Sequence, residues 1–182
     1  MATMTIRGTA TIEDLLKTPK DGFKYELVDG EILTSSPCGM RSSEVTAKIM
    51  GLIHEYLRAN PIGKVYGPTV GIQFPTGNVR SPDVTYVSIG KLPGGRSPDT
   101  FGEVIPDLTV EVLSPSDSMR ELGRKIGEYF ENGVPLVWIV DPKRQTVTVY
   151  RSLSDTEQLT AADRITAEPI LPGFSADIRL FF

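Results

Sequence analysis

Apolar residues recur at three- and four-residue spacing in two long stretches, and short apolar runs fill the interval between them. The first stretch runs from about Ser42 to Ala59, with Val45, Ile49, Leu52, Ile53 and Tyr56 on one stripe. Asn60-Pro61 ends it. The second covers about Asp117–Asn132, with Ser116 or Asp117 as its cap and Gly133 as its stop. Strand-like runs lie at Lys64–Tyr66, Thr69–Phe74, Asp83–Val87, Leu108–Leu113 and Leu136–Val140. Helix, strand regions, helix and strand in that order predict an α/β fold, a mixed central sheet with helices on its faces.

Smaller elements flank this frame. Thr11 caps a short helix over Ile12–Lys17, and Glu13 and Asp14 suit the positive end of its dipole. In FKYELVDGEILTS, Asp29-Gly30 between two alternating runs signals a hairpin. Ser35–Met40 and Gly90–Gly102 read as loops, and Pro75–Asn78 and Asp141–Gln145 as turns. The C-terminal part reads as short strands at Thr146–Arg151, Arg164–Ala167, Ile170 and Ala176–Phe182.

With 182 residues the chain is expected to form one domain, 1–182, and to bury a proper core. No apolar run approaches the ~18 residues that span a membrane. MATMTIRGTATIEDLL lacks a charged segment followed by an apolar one, so no signal peptide is expected and a cytoplasmic location is. Cys38 is alone, which excludes an internal disulfide and a cysteine-based zinc site. A net charge of −4 argues against tight DNA binding by bare electrostatics. Bound metal ions could still supply positive charge locally.

Chemistry concentrates in three residues. Pro82-Asp83 and Glu111 each lie at or inside a strand-like run, and Lys125 follows on the next helix. Two carboxylates from neighbouring strands beside one ammonium can hold Mg²⁺ against a phosphodiester, because Mg²⁺ takes one or two carboxylates and keeps several waters. Such an ion polarises the phosphoryl oxygen and lowers the pKa of a water, and a lysine offsets transition-state charge. Alternation in TVEVL puts Val110 and Val112 on one face and Thr109, Glu111 and Leu113 on the other. A carboxylate on such a strand is costly unless paired or bound to metal, so Glu111 reads as a ligand or as a buried partner of Lys125. Asp83, at a strand start, also fits ordinary turn chemistry. Lys125 falls roughly 40° outside the apolar arc of Met119, Leu122, Ile126, Tyr129 and Phe130 at ~100° per residue. It can reach the sheet along the core edge or pair with Glu121 one turn back. Glu26 shares a hairpin face with Lys24 and Val28, either as an exposed cross-strand charge or as a site carboxylate. His54 falls opposite its helix's apolar stripe, which argues against a histidine base or a Ser-His nucleophile. GGRS at 94–97 is no phosphate loop, lacking the Gly-Lys-Ser/Thr pattern and a following helix.

The succession of PD, ExL and a helical lysine resembles the PD-(D/E)xK nuclease superfamily. More narrowly, the chain is similar to the Uma (Uma-two) family, bacterial proteins described as restriction endonucleases and long as a domain of unknown function. The matching segments are YELVDGEI at 25–32, SPDVTYV at 81–87, PDLTVEVLSPSD at 106–117, ELGRKIGEYFENGVPLVWIVDP at 121–142 and TVTVYR at 146–151, with the terminal LPGFSADIRLFF. The resemblance implies a restriction-endonuclease-like fold, with the hairpin and C-terminal strands added, and hydrolysis of DNA phosphodiesters with Mg²⁺, for which Mn²⁺ substitutes. It implies Asp83 and Glu111 as metal ligands and catalytic residues, Glu26 as a further catalytic carboxylate and Lys125 as the catalytic lysine. The superfamily lysine normally stands two residues beyond the glutamate, where this chain has Leu113. Relatives often carry a histidine at the start of the first long helix, where this chain has Ser42 or Ser43. DNA as substrate, a homodimer and no membrane partner are expected. A catalytically weak nuclease-like scaffold, acting as a nucleic-acid or protein interaction module, is the alternative. The acidic balance favours that alternative and the presence of all three site residues disfavours it.

Overall fold

The computed structural model describes residues 9–115 and 117–182. Most of the N-terminal stretch read for a signal peptide, and the candidate cap Ser116, lie outside the described residues. Helix α1 is Ile12–Leu16, where Thr11 and Asp14 form a reciprocal capping box. Strands β1 (Lys24–Val28) and β2 (Glu31–Ser35) form the hairpin. Asp29 and Gly30 at its tip both have positive φ, 50° and 75°, as the mirror-image turn between right-twisted strands requires.

Helix α2 (Met40–Ala59) is followed by β3 (Gly63–Tyr66), β4 (Ile72–Gln73), β5 (Val79–Arg80) and β6 (Val84–Ser88). Next come β7 (Leu108–Val112), α3 (Met119–Glu131), β8 (Val137–Asp141) and β9 (Thr146–Tyr150). The chain ends with β10 (Thr156–Thr160), β11 (Arg164–Ala167), β12 (Leu171–Asp177) and a 3₁₀ turn over Ile178–Phe181. The central sheet has the order β10-β9-β8-β7-β6-β3. Only β7 and β8 run parallel in it, and α3 makes the crossover that a parallel pair needs. A second sheet, β2-β1-β5-β4, carries the hairpin, and β11-β12 pair separately. The expected α/β architecture is therefore present, a mixed sheet with a helix on each face.

The two faces bury different partners. Val45, Ile49, Ile53 and Leu57 of α2 pack on one face against Val84, Val110, Trp138 and Val149, and the C-terminal Ile165, Phe174 and Phe181 close the same core. The other face receives Ile126 and Tyr129 of α3 against Val137 and Ile139, with Ile72 and Phe74 beside them. Among the described residues no helix is long and apolar enough to cross a membrane.

Several local expectations differ from the structure. The cap of α3 is Ser118, whose side chain accepts from the Glu121 N–H. Asp117 instead closes a local turn, accepting from Ser114 N–H and Oγ. Met119 is exposed rather than part of the apolar arc, because it opens the helix before the first full turn reaches the sheet. The last strand stops at Asp177, and the chain then turns so that Ile178 and Phe181 both point into the core. Strands β5 and β10 were not anticipated. The first has two residues and the second, TEQLT, is a mostly exposed edge without apolar alternation. The Gly90–Gly102 loop holds two short 3₁₀ turns, at Ile89–Lys91 and Pro93–Gly95.

Ile49 is wholly buried between α2 and the central sheet. Ile49→Ala should lower the unfolding free energy by about 2–5 kcal/mol, through lost burial and the cavity left behind. Urea denaturation followed by tryptophan fluorescence measures it, since Trp138 lies in the same core.

Candidate active site

The register of β6 on β7 brings the two strand carboxylates together. Val84 stands opposite Val110, so one further step of this antiparallel ladder sets Asp83 opposite Glu111. Directly paired side chains share a face, and here it is the face covered by α3, since Glu111 also pairs with Ile139 across β7–β8. The next pair on that face is Thr85 and Thr109, both fully buried, whose hydroxyls have no partner among the described residues.

Helix α3 supplies the groups that hold Glu111. Lys125 Nζ lies 2.8 Å from Glu111 Oε1 and 3.3 Å from Glu26 Oε1. One turn further on, the Tyr129 hydroxyl donates to the same Glu111 oxygen. Among the described residues, Glu111 Oε2 has no hydrogen-bond partner. Asp83 is held from both sides. Its Oδ2 accepts the Val112 N–H at 2.8 Å and its Oδ1 lies 3.3 Å from Lys24 Nζ of β1.

A second layer of charge joins this centre to the hairpin sheet. Glu26 Oε1 accepts the Ser81 N–H at 2.7 Å, and its Oε2 lies 3.3 Å from Arg80 Nη1. Arg80 turns its Nε and Nη2 to Glu128 Oε2 of α3, with Nε at 2.8 Å. Asn78 donates to Glu128 Oε1 at 2.8 Å and accepts the Asp29 N–H at 2.8 Å, tying the hairpin tip to α3.

The electrostatics follow from burial and from these partners. Burial alone would raise Glu26, but Lys125, Lys24, Arg80 and the Ser81 N–H outweigh it and bring its pKa down to about 2. Glu111 goes the other way. Burial raises it, Asp83 and Glu26 add to the rise, and Lys125 and Lys24 offset only part of it. Burial disfavours the charged form of Lys125, yet Glu111 and Glu26 hold its pKa above the ordinary lysine value. The two carboxylates thus favour the ammonium form of Lys125. Burial raises Tyr129 well above its usual value, and Glu111 and Glu26 add to this, so its hydroxyl remains a donor.

Four carboxylates (Glu26, Asp83, Glu111 and Glu128) face three cations (Lys24, Arg80 and Lys125). One negative charge is left over, and the raised Glu111 expresses it. Among the described residues no group of three or more His, Cys, Asp or Glu is placed to hold a metal ion. Asp83 and Glu111 form a pair of hard oxygen donors, which with waters is the set Mg²⁺ accepts. The leftover charge and the unpartnered Glu111 oxygen fit a divalent cation.

All four residues expected at the site thus converge. Glu26 is buried and paired with Lys125 and Arg80, not an exposed cross-strand charge, and Lys125 pairs with Glu111 and Glu26 instead of Glu121. Leu113 packs at the edge of the apolar cluster on the α3 face. Ser42 is buried and donates to the Leu113 carbonyl at 3.1 Å, and His54 is exposed as expected. Sequence reasoning missed Lys24, Arg80, Glu128 and Tyr129. Tyr129 was counted as core, though its place four residues after Lys125 puts both on one helix face, and a buried phenol needs a hydrogen-bond partner.

Comparison with known proteins agrees with this picture. The pattern of the Uma2 family, described as "Putative restriction endonuclease", matches residues 12–179. No curated protein matches the chain. Among solved structures, one described as a "putative nuclease belonging to DUF820" from Anabaena variabilis is similar to it, with a TM-score of 0.80 and 23% sequence identity. The match covers 94% of this chain and 97% of that one. At that identity the likeness shows the fold.

Arg80 should be the costliest single charge to remove. Arg80→Ala leaves Glu26 and Glu128 buried beside no guanidinium, and breaking a buried pair costs about 3–5 kcal/mol. Lys17→Ala, which breaks only an exposed pair with Asp14, should stay within ~1 kcal/mol of wild type. Urea unfolding of both variants checks the contrast.

Proposed function

The chain belongs to the Uma2 family, and on that premise we propose that it is a Mg²⁺-dependent endonuclease that hydrolyses DNA phosphodiester bonds. The observation that carries the reading is the Asp83–Glu111 pair, set face to face across β6 and β7 under one surplus negative charge, with Lys125 on Glu111. Asp83 and Glu111 would hold the Mg²⁺, or Mn²⁺ in its place, which when bound supplies Lewis-acid polarisation of the phosphoryl oxygen and of the attacking water.

The protein's own groups prepare the site. The Val112 N–H orients Asp83, while Lys125 and Tyr129 fix one oxygen of Glu111 and leave the other without a hydrogen-bond partner among the described residues. Glu26 keeps Lys125 from swinging away and adds negative charge behind it. In the reaction a water oxygen bonds to phosphorus as one phosphorus–ester oxygen bond breaks. The departing oxygen ends as a hydroxyl with a proton that came from water, and no covalent enzyme intermediate forms. Lys125, held as an ammonium by Glu111 and Glu26, would stabilise charge on the phosphoryl group.

The same reading places the protein in the cytoplasm as a homodimer, because two sites are needed to cut both strands and twofold assemblies are the commonest. Strands β2 and β10 are sheet edges that a partner could cover. A nuclease-like scaffold that binds nucleic acid or protein with little catalysis is the second reading, favoured by the net charge of −4.

Three measurements separate these outcomes. Calorimetry should show Mn²⁺ uptake by wild type and none by the Asp83→Ala/Glu111→Ala double variant; equal uptake would reject the site. Single-turnover plasmid cleavage in Mg²⁺ should fall about 10²–10³-fold in Lys125→Met, the cost of one lost transition-state donor. Adding Leu113→Lys should restore part of it by returning an ammonium to the face of Glu111. A wild type that binds Mn²⁺ and duplex DNA but cuts neither DNA nor RNA would support the scaffold instead. Light scattering should give twice the 19.9 kDa chain mass, and a monomer at micromolar concentration would reject the dimer.

A further inference from the structure

Lys125 is the lysine to which the motif points, yet its ammonium is engaged twice, by Glu111 at 2.8 Å and Glu26 at 3.3 Å. A second ammonium belongs to the same cluster. Lys24, at the start of β1, makes its one ion pair among the described residues with Asp83 Oδ1, at 3.3 Å. The side chains of Lys24 and Asp83 are 24% and 23% exposed, against 15% for Lys125 and 9% for both Glu26 and Glu111. The Lys24–Asp83 pair is therefore the open edge of the charge cluster. A phosphate on a nucleic acid too large to enter the protein would meet the cluster there.

The fold has little need of Lys24. The Val112 N–H already fixes Asp83, and a single half-open ion pair adds little to stability. Lys24 does compete for an oxygen that a divalent cation would also use. A cation on Asp83 would release Nζ from its one direct ion pair among the described residues, within a few ångströms of the same spot.

We propose that Lys24 is a second catalytic ammonium, which contacts the scissile phosphate beside Lys125, while Lys125 also holds Glu111 and Glu26. This rests on the endonuclease reading and assigns the substrate contact within it. Metal-free, Lys24 neutralises Asp83; with a cation on Asp83, Nζ turns to a non-bridging phosphate oxygen and offsets the charge that builds there. Lys24 remains an ammonium throughout, so it forms and breaks no covalent bond.

The full chain, Lys24→Gln and Lys24→Arg test this with Mn²⁺ calorimetry, single-turnover plasmid cleavage in Mg²⁺ and urea unfolding. Lys24→Gln should bind Mn²⁺ as tightly as wild type or more tightly, because a competitor for Asp83 is gone, and should unfold at a similar urea concentration. Its cleavage rate should fall about 10²-fold or more. The log–log salt dependence of its kcat/KM should lose roughly one phosphate contact, a slope change near 0.9. Lys24→Arg should recover much of the rate, since a guanidinium still pairs with phosphate. Cleavage by Lys24→Gln within about threefold of wild type would overturn the assignment and leave the nuclease reading intact. Loss of Mn²⁺ uptake in step with rate would also overturn it, because Lys24 would then act only through Asp83. If wild type binds Mn²⁺ but cuts nothing, the nuclease reading itself falls and this assignment falls with it.

Discussion

Three glutamates, Glu26, Glu111 and Glu128, are buried where α3 meets the two sheets. A carboxylate taken out of water must find a cation or donors, or give up its charge. Here Lys125 and Arg80 meet that demand, and in doing so they join β1, β5, β7 and α3 at one point. The rest of the arrangement depends on this compensation. Without Arg80, Glu128 of α3 would be buried against the small β2-β1-β5-β4 sheet with no cation beside it. Without Lys125, Glu111 and Glu26 would repel across the gap between the sheets.

Such a network is a poor way to gain stability. Apolar residues of similar volume would often serve the fold as well or better. The cluster is also unbalanced, with four carboxylates against three cations, and Glu111, whose pKa burial raises, is raised further by Asp83 and Glu26. Glu26, close by and ringed by three cations, lies near 2. Two neighbouring carboxylates driven in opposite directions are consistent with the nuclease site proposed above. The placement of the surplus beside Asp83, at the most open part of the cluster, is what a divalent cation and a phosphate would use.

Much of the frame was legible in the sequence. The two long helices announced themselves by the spacing of Val45, Ile49 and Ile53 and of Leu122, Ile126 and Tyr129, and the hairpin by Asp29-Gly30. Strand alternation said which way Glu111 points, and the resemblance of the PD and ExL segments to the nuclease motif matched Asp83 to it. Elements without a local signal escaped. The edge strand β10 exists because β9 offers it a hydrogen-bonding partner, and β5 because β1 and β4 flank it. The start of α3 was read two residues early because Asp117 resembles a cap, while its carboxylate closes the Ser114 turn instead.

Periodicity is a local property, so the chain by itself determined the helices, the principal strands, the faces of β7 and the residues able to carry charge chemistry. Compensation is not local. Whether Lys125 would pair with Glu121 one turn away or reach the sheet depended on what lay beneath α3, and the buried carboxylates there drew it in. Arg80 and Glu128 lie far apart in sequence and carry no motif, and only the packing of β5 under α3 makes them one ion pair. Lys24 beside Asp83 is of the same kind, a contact between β1 and the start of β6 that no spacing encodes. Tertiary structure decided these partnerships, because a buried charge takes its partner from whatever the fold sets within a few ångströms.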